Sequence, residues 1–509
     1  MRISWKTASP PPGWKQCCCR RRPPPARRRR RPRGRRAARG RVAMAELRFT
    51  DCTLTTGDNA VWGGRLTGPM AIRLARRLGR AGLAAIEVSD PETIAACIRR
   101  GENPWRRIED IAAACPGTPL RARISPLTAH GAGGCDVLDA RDLESWAQRL
   151  SGAGVGEILC DDPLDAPGRM AAMLASVRAA GARPLAVLAF DPGADDAAHA
   201  ARAAELVQAG AEGVQLRDEA GTLTTDRLPG LLAAFEGALA GGALSLHPGC
   251  ASGLGPQVAF AALAAGVERL DVALPSLANG PSLPSATNLL RGASAAGVEA
   301  TGPDMAALEA AEGWLAEAVA REGWQPSSPW NFDLAPWIHR LPGAALAPLE
   351  ELHEQGGLLH AFAHEAARVA REAGALPPRP PFAAAIARQA LWHVTGRGVE
   401  RWSRIHPVLA RAIRGAYGAL PAAPAPVLAA RLGRIGPDTA PPSPLPGGLE
   451  HRIGGPATGA IPPDGYRETS PAEALALGLL AHVGSDGFAH VAVTGPDLSI
   501  SMSSGGRNA

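Results

Sequence analysis

The side chains that could do chemistry gather just after short apolar runs. The first such place reads Asp51-Cys52-Thr53-Leu54-Thr55-Thr56-Gly57-Asp58-Asn59. The others are Cys160-Asp161-Asp162, Arg217-Asp218-Glu219, His247-Pro248-Gly249-Cys250 and Asn279-Gly280-Pro281-Ser282. Aspartates, an imidazole and a thiol are the material of an acid–base or nucleophilic site. Arg217 adds a guanidinium, which can polarise a carbonyl or grip a carboxylate through two parallel hydrogen bonds. Arg217, His247, Asp161 and Cys250 are therefore the candidate catalytic residues. Asp51, Thr56 and Arg65 on one side, with Asn279 and Ser282 on the other, are the candidate substrate-binding set. A plainer reading stands beside this one. Arg217 pairs with Asp58 or Asp161 and simply fills its pocket, as buried charges often do, and Cys250, with no positioned base, is inert. Asp218 follows Arg217 directly and so points to the opposite side of a strand.

Metal-ligand patterns are weak. The nine cysteines include no CxxC pair. His130, His339, His360 and His364 could ligate, and the last two are four apart, but no Glu follows His360 as zinc proteases require. His360 and His364 read as an ordinary helix face. Gly131-Ala132-Gly133-Gly134 is weak evidence for phosphate binding. Trp314, Trp324, Trp330 and Trp337 read as packing anchors.

These residues need elements to hold them. Eight β-like runs cover Leu47–Cys52, Ala85–Val88, Leu120–Ile124, Glu157–Cys160, Leu185–Phe190, Gly213–Leu216, Leu244–His247 and Leu270–Leu274. Helical patterns alternate with them, at Gly68–Ala81, Asp142–Ala153, Pro167–Ala180, Asp196–Ala209, Thr225–Leu239 and Pro256–Ala265. Most end near a glycine suited to a left-handed cap. Eight β–α units in roughly 250 residues predict an α/β TIM barrel, with the site at the C-terminal strand ends. A doubly wound sheet is the alternative, but rarely needs eight equal repeats. Beyond residue 300 only helical patterns follow, at 304–321, 345–374, 381–395 and 402–415.

The chain has 509 residues, 46% of them apolar, enough for two or three domains. Its formal charge of +6 comes entirely from residues 1–43, which carry 16 Lys and Arg and no acid; from Met44 onward the charge is −10. The Arg/Pro-rich leader cannot bury apolar surface and reads as disordered. It is either a basic targeting or nucleic-acid arm or an over-extended start, with Met44 the true first residue. The body from residue 44 on is not a nucleic-acid binder. No run of about 18 apolar residues suggests a membrane span. Without a secretory pattern, the cysteines read as reduced and the protein as cytoplasmic. The expected division is 1–43 leader, 44–300 barrel, 301–432 helical region and 433–509 Pro/Gly-rich linker and short tail without a biotinyl domain, with one short helix over 470–482 and the last ten residues loose.

Particular segments carry a resemblance. DCTLTTGDNA with Arg65, Ser89–Ile108 (SDPETIAACIRRGENPWRRI), LRDEAGTLTT, LHPGCASG and PSLANGPSLP follow one another in order. Further on come Trp337–Gly343, Pro380–Thr395 and RGAYGALP. Over about residues 47–432 the chain resembles the carboxyltransferase domain of biotin-dependent enzymes: pyruvate carboxylase, the oxaloacetate decarboxylase α subunit and transcarboxylase. The resemblance implies a TIM barrel, dimerisation through it, and a small 2-oxo acid as acceptor.

It also implies a divalent metal, and here the residues depart from the pattern. The family's metal-ligand Asp falls at Thr56, its carbamylated Lys at Arg217 and its second His at Gly249; only His247 remains. The family's substrate-binding arginine falls at Thr55, the Arg of a further motif at Ile124 or Ser125, and its proton-relaying Thr at Ala251. Arginine forms no carbamate and repels a cation. A bound divalent metal is therefore not expected. No lysine occurs after residue 43, so the body cannot carry biotin covalently; any biotin would arrive on a separate carrier. Two readings follow. One is a carboxyltransferase-type subunit with an altered, metal-free site, working with a biotin carboxylase and a biotin carboxyl carrier protein. The other is an inactive pseudoenzyme serving as scaffold or regulator.

Overall fold

The computed structural model describes residues 45–130, 134–166, 168–239, 241–267, 269–295, 300–346, 358–396, 400–434, 491–495 and 498–502. Eight strands form a closed, all-parallel barrel: β1 (Arg48–Asp51), β2 (Ala85–Ser89), β3 (Leu120–Ile124), β4 (Glu157–Cys160), β5 (Arg183–Ala189), β6 (Gly213–Asp218), β7 (Ala243–Pro248) and β8 (Arg269–Val272). Neighbours pair in chain order, and β8 closes onto β1. The eight runs read from the sequence are these eight strands, with ends shifted by a residue or two. The glycines expected to end helices do so: Gly82, Gly154, Gly181, Gly210 and Gly266 all have positive φ, the conformation a Cβ disfavours.

Two features were not legible. The segment after β2 forms two helices, Pro91–Arg99 and Pro104–Ala114, each with Asp90 or Asn103 accepting backbone N–H bonds at its start. After β3 an antiparallel hairpin, Leu127–His130 with Gly134–Val137, projects from the barrel. Its Leu127 and Cys135 belong to the core of the helical region rather than that of the barrel.

Beyond the barrel come α1 (Met305–Glu322), α2 (Leu334–His339), α3 (Leu358–Glu372), α4 (Phe382–Thr395), α5 (Pro407–Ile413) and α6 (Pro426–Arg434). α1 lies against the barrel helix Gly68–Leu78 and shares its core. The later helices close a second core around Phe362, Phe382, Ile386, Trp402 and Leu409. Of the helix expected over 345–374, the described parts are a short helix, Gly343–Leu346, and α3; residues 347–357 lie outside the described residues. The 470–482 helix and the 1–43 leader lie outside the described residues, as do residues 131–133 of the glycine-rich loop. Val491–Gly495 pairs with Leu498–Met502 as an antiparallel ribbon, so residues 500–502, within the last ten expected to be loose, are paired. No helix among the described residues is long and apolar enough to cross a membrane.

Alternate residues of each strand face the barrel lumen, and register partners share a face. In TIM barrels this space is filled mostly by branched apolar side chains. Here Leu159, Leu185 and Val187 form one small apolar patch, and charged or polar groups stand at many of the other inward positions. At mid-height Arg121 reaches Glu87 at 2.8 Å and Asp271 at 2.7 Å, all fully buried. Gln215 Nε2 donates to Asp271 at 2.8 Å.

Candidate functional site

A cavity of about 270 Å³ opens at the C-terminal ends of the strands. Arg217, at the end of β6, and His247, at the end of β7, are register partners and stand side by side in it. Arg217 Nε donates to Glu219 Oε1 at 2.6 Å, and its Nη1 lies 3.4 Å from His247 Nδ1. His247 Nδ1 lies 2.8 Å from Asp271 Oδ2. A carboxylate there fixes the proton on Nδ1 and leaves Nε2 as the lone-pair nitrogen. Burial, reinforced by the Arg217 charge, lowers the His247 pKa below its usual value, so the ring is neutral. Burial alone would raise the Glu219 pKa, but Arg217, then Arg379 and Arg123, pull it down to about 2.

Across the cavity Arg123, from β3, donates to Asp161 at 3.0 Å and Glu92 at 2.5 Å. Arg379, from the segment before α4, holds the other Asp161 oxygen. Glu92 sits in the first turn of the helix after β2; burial raises its pKa to about 7 despite the opposing pull of Arg123. Asn59 completes this wall by donating to Asp90 at 3.1 Å.

The helical region covers the opening through Pro342, Gly343 and Pro380. Gly343 shows why the resembling motif ends in glycine. A Cβ there would lie 1.9 Å from the Pro281 carbonyl oxygen, so backbone meets backbone and no side chain fits. Trp337 donates its indole N–H to the Thr222 carbonyl at 3.2 Å, pinning α2 to the loop after β6. Trp324 meets Trp62 at 5.0 Å. Both act as the anchors their positions suggested.

Of the predicted site residues, Arg217, His247, Thr56 and Ser282 line the cavity. Asp161 stands behind the wall, spent on two arginines. Asp51 faces its own turn, accepting from Thr53 N–H and hydroxyl, and burial lifts its pKa to about 7. Asn279 has φ 65° in the loop after β8 and stands outside the cavity lining. Arg65 is exposed and offers only its backbone N–H, to Asp58. Cys250 is buried, and burial, with Asp218 nearby, raises its thiol pKa far above the ordinary range; it has no thiolate character. Arg217 pairs with Glu219, not with Asp58 or Asp161: two residues along, Glu219 returns to the face of Arg217. Asp218 turns away and accepts the Thr222 and Leu223 N–H groups, as its parity required. Sequence reasoning missed Arg123, Glu92, Asp90 and Arg379, and placed Glu219 at its strand end without giving it a role. The alternation Leu120-Arg121-Ala122-Arg123-Ile124 was the available signal for the first. His339 and His364 meet edge to face at 5.7 Å on the helical region, away from this cavity.

The donor set does not fit the divalent metal that the resemblance implies. Among its expected ligand positions, Thr56 offers a neutral hydroxyl and Arg217 a cation beside His247. Gly249 cannot be replaced by histidine in this backbone, because a Cβ there would lie 2.5 Å from both the Asp218 and Glu219 carbonyl oxygens. The one acid-and-thiol cluster of metal-binding dimensions among the described residues, Cys52–Glu87–Asp271, encloses the guanidinium of Arg121.

Barrel, lumen site and helical cover define the architecture as a TIM barrel with a helical C-terminal region. No family model matches the chain. It is homologous to a pyruvate carboxylase subunit of Methanocaldococcus jannaschii, 23% identical over 387 residues, covering 74% of this chain and 66% of that protein. The match thus spans slightly under two thirds of the relative. The fold matches the carboxyl transferase domain of Rhizobium etli pyruvate carboxylase with a TM-score of 0.67 at 20% identity, covering 78% of this chain and 69% of that one. The same domain with oxamate and biotin matches at 0.68 and 20% identity, covering 79% and 71%. The complete multifunctional Rhizobium enzyme matches at 0.64 and 20% identity, covering 73% of this chain and 38% of that one.

Proposed function

We propose that this chain is a carboxyltransferase-like subunit whose site handles a small 2-oxo acid without a divalent metal. One observation carries this reading over a filled, inert pocket. Among the described residues, four buried polar atoms around it have no partner: Thr56 Oγ1, Arg123 Nε, Glu219 Oε2 and Ser282 Oγ. All four residues line the same cavity. Each orphaned buried group costs about 1–3 kcal/mol, so the set fits a polar ligand that satisfies it. Arg217 supplies fixed positive charge where an enolate or carboxylate oxygen would sit. The lone pair on His247 Nε2, oriented through Asp271, is the base for a proton on carbon. Biotin would be presented by a separate carrier chain beside a biotin carboxylase, and the chain would pair with a second copy.

The reading is tested on purified protein in two ways. Elemental analysis should find well under one zinc, manganese or cobalt per chain. Oxaloacetate decarboxylation with free biotin should exceed background, and Arg217→Ala and His247→Asn should each abolish the excess. Equal rates in all three proteins would favour the scaffold reading, which the pairing of Arg217 with Glu219 and of Asp161 with Arg123 and Arg379 otherwise supports.

A further inference from the structure

The opposite mouth of the barrel carries a second cavity, of about 200 Å³, among the N-terminal ends of the strands. It exists because the inward positions there are small: Gly213, Ala243 and Ser245 leave a void that TIM barrels ordinarily fill with branched side chains. Its rim is basic. Arg48 and Arg269 are register partners on β1 and β8, so both guanidinium groups project from the same face. Arg183, on β5, completes the ring.

Among the described residues the positive charge here is not balanced. Glu157 is shared between Arg269 Nη1 at 2.7 Å and Arg183 Nη1 at 3.2 Å. A second carboxylate among the described residues, Glu212, is itself divided between Arg183 and Arg178. Arg48 forms no ion pair among the described residues. Arg121, above them, is spent on Glu87 and Asp271. Arg269 donates Nε to the Thr50 hydroxyl, but its Nη2 is buried with no partner among the described residues. The residue is only 8% exposed. Burial and the Arg121 charge also lower the Arg269 pKa, the direction expected for a cation short of counter-charge. A buried guanidinium N–H without an acceptor is costly, and an oxyanion is the natural acceptor for two or three convergent guanidinium groups.

We propose that the N-terminal mouth of the barrel is a binding site for a small, multiply charged oxyanion of the phosphate or dicarboxylate class, held by Arg48, Arg183 and Arg269. It lies at the end of the barrel away from Arg217 and His247 and does not depend on the activity proposed for them.

The test uses the full chain, with inorganic phosphate and succinate as probes against sodium chloride at matched ionic strength and pH. The expected result is a saturable rise in melting temperature and a calorimetric binding isotherm with phosphate, succinate or both. Whichever responds identifies the anion class. Arg48→Gln removes an exposed side chain without disturbing the core and should weaken binding about tenfold, as loss of one charge-assisted contact predicts. Arg269→Gln should abolish it. No response beyond that of chloride overturns the proposal. So does a response that survives Arg48→Gln and Arg183→Gln but is lost in Arg217→Ala, which would place the anion in the upper cavity.

Discussion

At the residue scale, the site is a set of side chains whose charges are fixed by neighbours rather than by solvent. Glu92, Asp51 and Asp58 hold protons more tightly in the fold than out of it, because burial raises them to about 7, 7 and 6. Their contribution to stability is therefore complete below the unfolded value near 4 and is lost as pH rises through about 7. Glu219 and Asp271, both held low, act oppositely and only in acid. In urea denaturation from pH 4.5 to 7, Glu92→Gln should lose less stability, or gain more, than the wild type over the same window; parallel curves for the two proteins would refute the assignment. Arg217 and His247 were legible from sequence because they end strands, where barrel chemistry collects. Arg123 and Glu92 were not, since one lies within a strand whose lumen face is normally apolar and the other in the first turn of a helix. Arg379 was beyond reach for a different reason: 218 residues separate it from Asp161, and local patterning is silent about such a pair.

At the element scale, the eight strands were legible because short buried runs bounded by glycine-capped helices leave few alternatives. The hairpin after β3 escaped notice because its apolar residues serve another core. The segment before α4 has a role its own pattern does not suggest. Through Arg379 it shares Asp161 with Arg123 of β3, binding the helical cover to the barrel wall. Arg379→Ala removes one clasp and leaves the other. The expected outcome is faster limited proteolysis within the helical region while the global urea midpoint moves little. Cleavage unchanged from wild type would show that Pro342, Gly343 and the Trp337 bond hold the cover by themselves.

At the scale of the whole molecule, the unusual feature is a lumen built from ions. Replacing Arg121 by Met leaves Glu87 and Asp271 buried without their partner, and breaking such a set costs about 3–5 kcal/mol. The midpoint of urea unfolding should fall accordingly, and adding Glu87→Gln should recover part of the loss; a silent Arg121→Met would mean that water replaces the guanidinium. The same arrangement bears on how the chain finds its shape. Strands 2, 3 and 8 contribute the three charges that meet at mid-height, and strand 8 must also close the ring against strand 1. Greasy side chains would tolerate a slip of two residues along a neighbouring strand. Opposite charges would not, because every shifted alignment strands an ion away from its mate. The lumen thus works as a combination lock, admitting one stagger of the staves and rejecting the near misses.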